Sequence, residues 1–223
     1  MAKSASRPRL KPAEQARLEE IFARLRSLSE DPRTELVYDS PYTLLVAVAL
    51  SAQATDVAVN KATAKLFAVA DTPQAMLALG EEGLVPFIAS IGLYRTKAKN
   101  VIAAARLLIE RHGGQVPLTR EALEALPGVG RKTASVVLNE LDIEPAIAVD
   151  THVFRLAHRL QIADGKTPDQ VEAQLMAVVP APYLTRAHHW LILHGRYVCT
   201  ARRPKCDECA LADLCPSKQL FLR

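Results

Sequence analysis

Apolar residues recur at helical spacing along almost the whole chain. Near the N-terminus they fall three or four positions apart and so line one face of a helix, as do Leu18, Ile21, Phe22, Leu25 and Leu28. No run alternates apolar and polar residues in the manner of a half-buried strand. The pattern therefore predicts an all-α fold of about ten short helices, given usual helix and loop lengths.

Capping residues indicate where several of these helices begin and end. Thr72 and Thr167 each precede a proline, which places a capping hydroxyl before a residue favoured at the first helical position. Gln170 lies three residues after Thr167 and completes a capping-box pattern. Helix ends are expected at glycines that follow apolar segments: Gly80, Gly92, Gly113 and Gly114.

The composition is that of a soluble globular chain. Its 223 residues are enough for one large or two small domains, with 49% hydrophobic and 23% charged residues. The longest apolar run, Leu44 to Leu50, is far too short to span a bilayer, so no membrane role is predicted. A net charge of +4 is compatible with nucleic acid but common among soluble proteins. We expect a disordered arm at the basic N-terminus, which contains Lys3, Arg7, Arg9 and Lys11.

A glycine-rich turn between two predicted helices is the first candidate for chemistry. The segment LPGVGRKTA occupies residues 126–134, and a new helical pattern begins at its last residue. Gly128 and Gly130 allow positive φ and bring successive N–H groups to a helix N-terminus, which attracts an anion such as a nucleic-acid phosphate. A plain tight turn would explain the glycines but not Arg131 and Lys132 beside them, so we favour an anion site.

Asp150 lies eighteen residues beyond Lys132, directly before another helical pattern. An aspartate at such a position is commonly no more than an N-cap, although capping and catalysis are compatible. A lysine at a helix N-terminus feels the positive dipole and neighbouring cations, both of which favour its neutral, nucleophilic amine. Lys132 is therefore a candidate Schiff-base lysine with Asp150 as its carboxylate partner, while His152 suits a structural or phosphate-contacting role.

All four cysteines fall near the C-terminus, spaced Cys199-x6-Cys206-x2-Cys209-x5-Cys215. Four clustered thiols supply soft ligands for zinc or for one iron–sulfur cluster. Two disulfides are the alternative, but the chain begins MAK without an apolar leader, so an oxidising compartment is not expected. The spacing alone favours a cluster only slightly, because zinc sites more often pair two C-x-x-C units.

A basic loop lies between the first two cysteines. It reads TARRPK over residues 200–205 and contributes Arg202, Arg203 and Lys205, with Arg196 just before it. The cysteines tether this loop at both ends, which would hold its charges in one shape. From this segment alone, a solvated charge run explains the loop nearly as well as phosphate binding does.

These motifs together resemble those of the endonuclease III family. Its members are bifunctional DNA glycosylases and abasic-site lyases of the helix-hairpin-helix superfamily. The resemblance covers nearly the whole chain, and the motifs occur in the family's order. They are LSAQATD at residues 50–56, IGLY at 91–94, LPGVGRKT at 126–133, VDTH at 149–152, HWLILHGRY at 189–197 and the 6-2-5 cysteine spacing.

The resemblance implies a cofactor and a fold. In this family the cysteine spacing holds a [4Fe–4S] cluster, with ligands that correspond to Cys199, Cys206, Cys209 and Cys215. The implied fold is the helix-hairpin-helix DNA glycosylase fold, with a six-helix barrel domain at residues 34–144 and a cluster domain formed by residues 1–33 and 145–223. We expect the cluster to hold the basic loop against phosphates rather than to take part in the chemistry.

The resemblance also implies a mechanism. Lys132 would attack C1′ of a flipped, oxidised or otherwise damaged pyrimidine nucleotide while Asp150 assists, and β-elimination would then cut the strand. Gln53 would fill the vacated stack, and the loop from Ile91 to Tyr94 would supply apolar wedges beside it, mainly Leu93. Further DNA contacts are implied at Gly128, Val129, Gly130, Arg131, Thr151, His152, Arg202, Arg203 and Lys205.

The expected partner is double-stranded DNA that contains damaged pyrimidines or abasic sites. We expect the protein to be a monomer that is cytoplasmic and associated with the nucleoid. Related adenine glycosylases have a glutamate where this chain has Ala47, and they lack the hairpin lysine, so adenine excision is not expected. Mismatch-specific thymine or uracil glycosylases stay open as alternatives. A non-catalytic iron–sulfur DNA-binding protein is the third reading, against which the presence of both Lys132 and Asp150 argues.

Overall fold

The computed structural model describes residues 10–221, and within that range it contains ten α-helices, two short 3₁₀ helices and no β-strand. The all-α prediction is therefore confirmed. None of the helices in this range is long and apolar enough to cross a membrane. The α-helices are α1 (Pro12–Leu28), α2 (Pro41–Ser51), α3 (Asp56–Phe67), α4 (Pro73–Ile88), α5 (Tyr94–His112), α6 (Arg120–Glu124), α7 (Arg131–Glu140), α8 (Thr151–Leu160), α9 (Pro168–Val178) and α10 (Leu184–Tyr197), and the 3₁₀ helices are Ala181–Tyr183 and Lys218–Leu220.

Threonine caps begin α4 and α9 where the sequence predicts them. The hydroxyl of Thr72 accepts a hydrogen bond from the amide of Ala75 at 3.2 Å, and that of Thr167 accepts from the amide of Gln170 at 3.3 Å. The capping-box prediction is wrong in one respect, since the Gln170 side chain accepts from the amide of Lys166 rather than from that of Thr167. The glutamine therefore holds the turn before the helix, one residue further back than the pattern implies.

The predicted glycine stops are only partly correct. Gly113 ends α5 in the left-handed conformation, with φ of 59°. Gly80 has φ of 68° but only kinks α4, which resumes and continues to Ile88. Gly92 lies in the turn after α4 and not directly at its end. Glycine permits a left-handed residue, but here the burial of Leu84 and Ile88 after the kink favours a resumed helix.

The chain divides into two compact units. One is Thr34–Glu144 and contains α2 to α7, while the other joins the chain up to Arg33 to the chain from Pro145 onward and contains α1 and α8 to α10. Each unit has an apolar core of its own. The first core includes Leu44, Leu66, Ile88, Ala105 and Leu138, and the second includes Phe22, Val153, Leu156, Trp190 and Leu191.

Helix α1 contributes its predicted apolar stripe to the second core. Leu28 is the exception, since this last residue of the helix is 62% exposed. Lys11 is the N-cap of α1, and its amide donates to the Glu14 carboxylate at 3.0 Å, so the expected arm does not include it. The other arm residues, Lys3, Arg7 and Arg9, lie outside the described residues. The stripe residues buried by α1 are Leu18, Ile21, Phe22 and Leu25.

Two arginines fasten α1 to the C-terminal part of its unit. Arg17 donates to the carbonyl oxygens of Leu160 and Leu214 at 2.9 and 3.1 Å. Arg24 donates to the carbonyl oxygen of Ala210 at 2.9 Å. Leu214 and Ala210 lie within the cysteine-rich segment, so the N-terminal helix helps to fix the shape of that segment.

Candidate active site and metal centre

The predicted hairpin is a tight turn between α6 and α7. Helix α7 begins at Arg131, three residues before the predicted start at Ala134. Gly128 has φ of 78°, as predicted, whereas Gly130 has φ of −92° and ψ of 177°, so the prediction of positive φ is wrong for Gly130. The reason is that Gly130 is the N-cap of α7, a position that takes an extended backbone.

Gly130 leaves the start of α7 open. It has no side chain with which to cap the helix, and a Cβ placed on it would meet no atom within 4 Å. The first amides of a helix have no partner within the helix, and they carry the positive end of its dipole. The N-terminus of α7 therefore has the geometry of an anion site.

Lys132 is the second residue of α7 and is exposed, as is Arg131 before it. The buried side of α7 anchors the helix, since Ala134, Val137 and Leu138 are fully buried. An exposed amine thus projects from a firmly packed first turn, next to the open amides.

Arg120 braces the two helices of the hairpin. Its guanidinium donates from Nη1 to the hydroxyl of Ser135 in α7 at 2.7 Å, and from Nη2 to the carboxylate of Glu144 at 3.0 Å. Sequence reasoning missed this brace, because the partners lie 15 and 24 residues away and no local pattern connects them.

Two predicted intercalating residues occupy strained backbone positions. Gln53 and Leu93 are both exposed and both left-handed, with φ of 56° and 60°. Left-handed backbone costs a residue with a Cβ roughly 1–2 kcal/mol, and such strain tends to persist at functional sites. Leu93 is 60% exposed, so its side chain is available to a ligand.

Two other predicted contact residues have buried side chains. The side chain of Ile91 is 2% exposed and belongs to the core of the Thr34–Glu144 unit, so it cannot act as a wedge in this conformation. Val129 in the hairpin is 5% exposed and joins the same core, so its predicted DNA contact falls to its backbone. Both are apolar residues next to turns, where packing under the turn competes with projection into solvent.

Asp150 is the N-cap of α8, as the simplest reading of the sequence predicts. Its Oδ1 accepts from the amides of His152 and Val153 at 2.9 and 2.8 Å. Both hydrogen bonds use the same oxygen, and Oδ2 has no hydrogen-bond partner among residues 10–221. The half-buried carboxylate is therefore fixed by one oxygen and presents the other.

The residues after Asp150 are held by α10. Arg155 donates to the carbonyl oxygens of Gly195 and Cys199 at 2.7 and 3.1 Å, and its guanidinium also contacts Nδ1 of His152 at 3.3 Å. Gly195 is required here, because a Cβ on it would lie 2.9 Å from the carbonyl oxygen of His152. Thr151 remains exposed. His152 is thus a tightly packed residue, in keeping with the structural half of its prediction.

The four predicted metal ligands surround one small cavity of about 30 Å³, and none of them forms a disulfide. No three His, Cys, Asp or Glu side chains in the described part of the chain meet closely enough to hold a single metal ion. A four-iron cluster needs its ligands further apart, because each thiolate binds a different iron. Four thiols around one cavity supply the four cysteine ligands that such a cluster needs.

The surroundings of the sulfur atoms also suit a cluster. Burial raises the pKa of Cys206 and Cys209 above the usual value for a thiol, and neighbouring thiolates raise it further. A positively charged inorganic core would offset this repulsion. Donors already approach two of the sulfurs, since Arg159 Nη1 lies 3.3 Å from Cys199 Sγ and the amide of Leu211 lies 3.4 Å from Cys209 Sγ.

The basic loop has a defined internal structure. The hydroxyl of Thr200 donates to the carbonyl oxygen of Arg203 at 2.7 Å. Arg159 of α8 donates to the carbonyl oxygens of Thr200 and Ala201 at 2.7 and 2.9 Å. With the backbone held in this way, three basic side chains are left exposed: Arg202, Arg203 and Lys205.

Cavity size does not mark the site in this chain. A groove of about 900 Å³ lies on the Thr34–Glu144 unit. Its lining runs from Val37 to Val116 in chain order, and no predicted site residue belongs to the lining. Of the predicted hairpin residues, Gly128, Gly130, Arg131 and Lys132 are exposed and so are accessible to a ligand from solvent.

Two family descriptions match this chain. Residues 46–181 match the HhH-GPD superfamily of base excision DNA repair proteins, and residues 199–215 match the iron–sulfur binding domain of endonuclease III. The fold and site thus define a helix-hairpin-helix protein of base excision DNA repair that carries an iron–sulfur centre.

Individual relatives narrow this class. Endonuclease III of Escherichia coli strain K12 is 59% identical over 200 residues, which cover 90% of this chain and 95% of that protein. A solved structure of a trapped endonuclease III–DNA covalent intermediate is 40% identical, with a TM-score of 0.87, and covers 96% of this chain and 100% of its own. The chain belongs to the endonuclease III family.

Membership of this family confirms the predicted enzyme class and cofactor. The chain is a base excision repair enzyme, a DNA glycosylase with abasic-site lyase activity, and it carries a [4Fe–4S] cluster. A thermostable thymine-DNA glycosylase shares the fold, with a TM-score of 0.81 at 23% identity, over 93% of this chain and 99% of that one. At that identity the similarity concerns the fold alone.

Proposed function

We propose that this enzyme removes oxidised and other damaged pyrimidines from double-stranded DNA and cuts the resulting abasic site through a Schiff base on Lys132. The observation that carries the proposal is an exposed lysine on the first turn of α7, beside amides that no side chain caps. A phosphate bound by those amides would hold the DNA backbone next to the amine. A covalent DNA intermediate of a 40% identical relative supports the same chemistry.

In the glycosylase step the Lys132 amine attacks C1′ of the damaged nucleotide, and the bond from C1′ to the base nitrogen breaks. The base leaves with the bonding electrons and takes up a proton. The attacking nitrogen loses a proton, and the bond from C1′ to the ring oxygen then opens. The ring oxygen keeps the bonding electrons and takes up a proton, which leaves an iminium between enzyme and sugar.

In the lyase step a proton leaves C2′, the bond from C3′ to oxygen breaks, and the phosphate on the 3′ side departs with its electrons. Water then hydrolyses the iminium and frees Lys132. None of these steps transfers an electron between redox centres, so the cluster supplies shape and charge to the DNA-binding surface.

Asp150 is proposed to assist through its second carboxylate oxygen. Oδ1 is committed to two amides of α8, so the orientation of the carboxylate is set before DNA binds. Oδ2 is then available to take the proton from the lysine or to stabilise positive charge at C1′. Thr151 and His152 follow it in the chain and would contact the DNA backbone beside the reacting nucleotide.

The proposed DNA surface combines fixed amides, basic side chains and two intercalating residues. The hairpin residues Gly128 to Arg131 bind a phosphate, and Arg202, Arg203 and Lys205 bind others. Gln53 and Leu93 enter the duplex where the damaged base leaves it. The two compact units correspond in this proposal to the barrel and cluster domains, and the enzyme acts as a monomer on chromosomal DNA in the cytoplasm.

Borohydride trapping tests the proposal directly. Duplexes that carry an oxidised pyrimidine are incubated with wild type, Lys132→Gln and Lys166→Gln, the last of which removes an exposed lysine outside the proposed site. We expect a covalent protein–DNA band with wild type and Lys166→Gln, and binding without a band for Lys132→Gln. Wild type that binds but does not trap would mean a glycosylase without lyase chemistry on Lys132, or a non-catalytic binder.

The choice of substrate distinguishes the proposed activity from that of a mismatch-specific thymine glycosylase. A duplex with a thymine–guanine mismatch is treated in parallel with the oxidised pyrimidine. Excision of the normal thymine at a comparable rate would assign this chain the mismatch activity instead. We expect excision of the damaged pyrimidine only.

A further inference from the structure

Lys97 is a buried lysine that the proposed chemistry does not use. It lies in α5 and is 7% exposed, and its ammonium donates to the carbonyl oxygen of Leu50 at 3.0 Å. Burial lowers its pKa below the usual lysine value. Among the described residues no carboxylate pairs with it, so its one hydrogen bond to α2 is its main polar contact.

The two ends of this hydrogen bond lead to the two strained loops. Leu50 is next to the last residue of α2, and Gln53 follows three residues later with φ of 56°. Leu93 is the N-cap of α5 with φ of 60°, and its carbonyl oxygen accepts from the amide of Lys97 at 3.0 Å. One residue therefore makes a hydrogen bond towards each loop.

The two loops also lie against each other. A Cβ placed on Gly92 would be 3.8 Å from the carbonyl oxygen of Gln53, which is ordinary van der Waals distance. A movement of the end of α2 relative to α5 would therefore change the spacing between Gln53 and Leu93. The Lys97 side chain makes a hydrogen bond across this gap, from α5 to Leu50 near the end of α2.

Packing alone does not account for a lysine here. An apolar residue of similar length would fill the same space without the cost of desolvating an ammonium. The last carbonyls of a helix have no backbone partner and carry the negative end of its dipole, so they favour a cation. The ammonium thus donates to a carbonyl oxygen at the C-terminal end of α2, directly before the Gln53 loop.

We infer that Lys97 is a positioning residue that joins the Gln53 loop to the Leu93 turn, so that the two side chains enter the duplex as one unit. This inference rests on the proposed function only in assigning Gln53 and Leu93 to the opened base pair. Lys97 touches neither DNA nor the reacting atoms, and it acts through the backbone of both loops.

The variant Lys97→Met tests this inference, because methionine has a similar volume, is only one atom shorter and lacks the hydrogen-bond donor. The matched control is Lys99→Met, which removes an exposed lysine from the same helix. Opening of the duplex is measured without chemistry, from the fluorescence of 2-aminopurine placed opposite a stable abasic-site analogue. Strand cleavage is measured on an abasic site in a fully paired duplex and on the same site within an unpaired bubble.

We expect Lys97→Met to lose most of the fluorescence change and to cleave the paired site about tenfold to a hundredfold more slowly, the range that a small misplacement of a functional group produces. Cleavage within the bubble should stay close to wild type, as should both activities of Lys99→Met. An equal loss on the paired and the bubble substrates, with normal opening, would overturn the inference and indicate a merely structural lysine.

A double-mutant cycle with Gln53→Ala tests whether Lys97 acts through that residue. If Lys97 acts through Gln53, the two changes have much less than additive effects on opening. Additive effects would overturn the inference. Failure of the proposed function gives a different result: wild type would open the duplex but form no borohydride-trapped complex. If wild type opened no duplex at all, the role given to both loops would be overturned.

Discussion

Gly128 in the hairpin lies directly against Asn100 of α5, so that a Cβ on the glycine would be 2.8 Å from the Cβ of the asparagine. Gly128 also has φ of 78°, which only glycine adopts at little cost. Gly130, two residues later, has an extended backbone and no neighbour within 4 Å of an added Cβ. The first glycine is therefore required by the fold, and the second leaves room for a ligand.

This difference gives the first prediction. Gly128→Ala should lower the free energy of unfolding by about 1–3 kcal/mol, because it combines a strained φ with a close contact. Gly130→Ala should unfold at nearly the wild-type temperature but bind duplex DNA about tenfold more weakly, since a methyl group would crowd a phosphate at the amides. Thermal unfolding and a binding titration check both. Normal DNA affinity in Gly130→Ala would remove the hairpin from the phosphate-binding surface.

The second prediction concerns the strain at Leu93. Leu93→Gly should raise the free energy of unfolding by about 0.5–1 kcal/mol, because glycine relieves the left-handed backbone while the exposed side chain contributes little packing. Leu93→Ala keeps the strain and should leave stability nearly unchanged. Both should lose base excision from paired duplex to a similar degree, because both lack the wedge. Equal stability of the two variants would show that the backbone at Leu93 is not strained.

The third prediction separates the two roles of Asp150. Asparagine is as good an N-cap as aspartate, so Asp150→Asn should keep stability within about 0.5 kcal/mol of wild type. Asp150→Ala should lose about 1 kcal/mol with the cap. Excision should fall at least about a hundredfold in both, as expected when a positioned proton acceptor is removed. If Asp150→Asn kept full activity, the carboxylate would serve only to begin α8.

Local signals explain which parts of the structure the sequence predicts well. The caps at Thr72 and Thr167, the left-handed Gly128 and the cysteine-lined cavity each depend on residues that are close in the chain. The helix periodicity and the turn chemistry are therefore enough to place the hairpin, and the short spacing of the cysteines is enough to predict that they lie together.

Contacts between distant segments explain the rest. Lysine is almost always exposed, so nothing in the sequence marks Lys97 as buried; its partner Leu50 is 47 residues away. Ile91 follows a helix and looks available as a wedge, yet the core of its unit takes its side chain. The extended backbone of Gly130 likewise depends on α7 beginning three residues earlier than its apolar pattern indicates.

The last prediction separates the cluster from the charges of the basic loop. Cys206→Ser should lose the visible absorption of the cluster and most DNA affinity, because the loop that carries Arg202 and Arg203 is then no longer held at its second cysteine. The double variant Arg202→Gln, Arg203→Gln should keep the absorption and the unfolding temperature while its affinity falls. The slope of log affinity against log salt should also decrease by about 1.8, which is the release expected for two lost phosphate contacts. Wild-type affinity in a cluster-free Cys206→Ser protein would show that the loop binds DNA without the cluster's support, and an unchanged salt slope in the double variant would show that these arginines contact no phosphate.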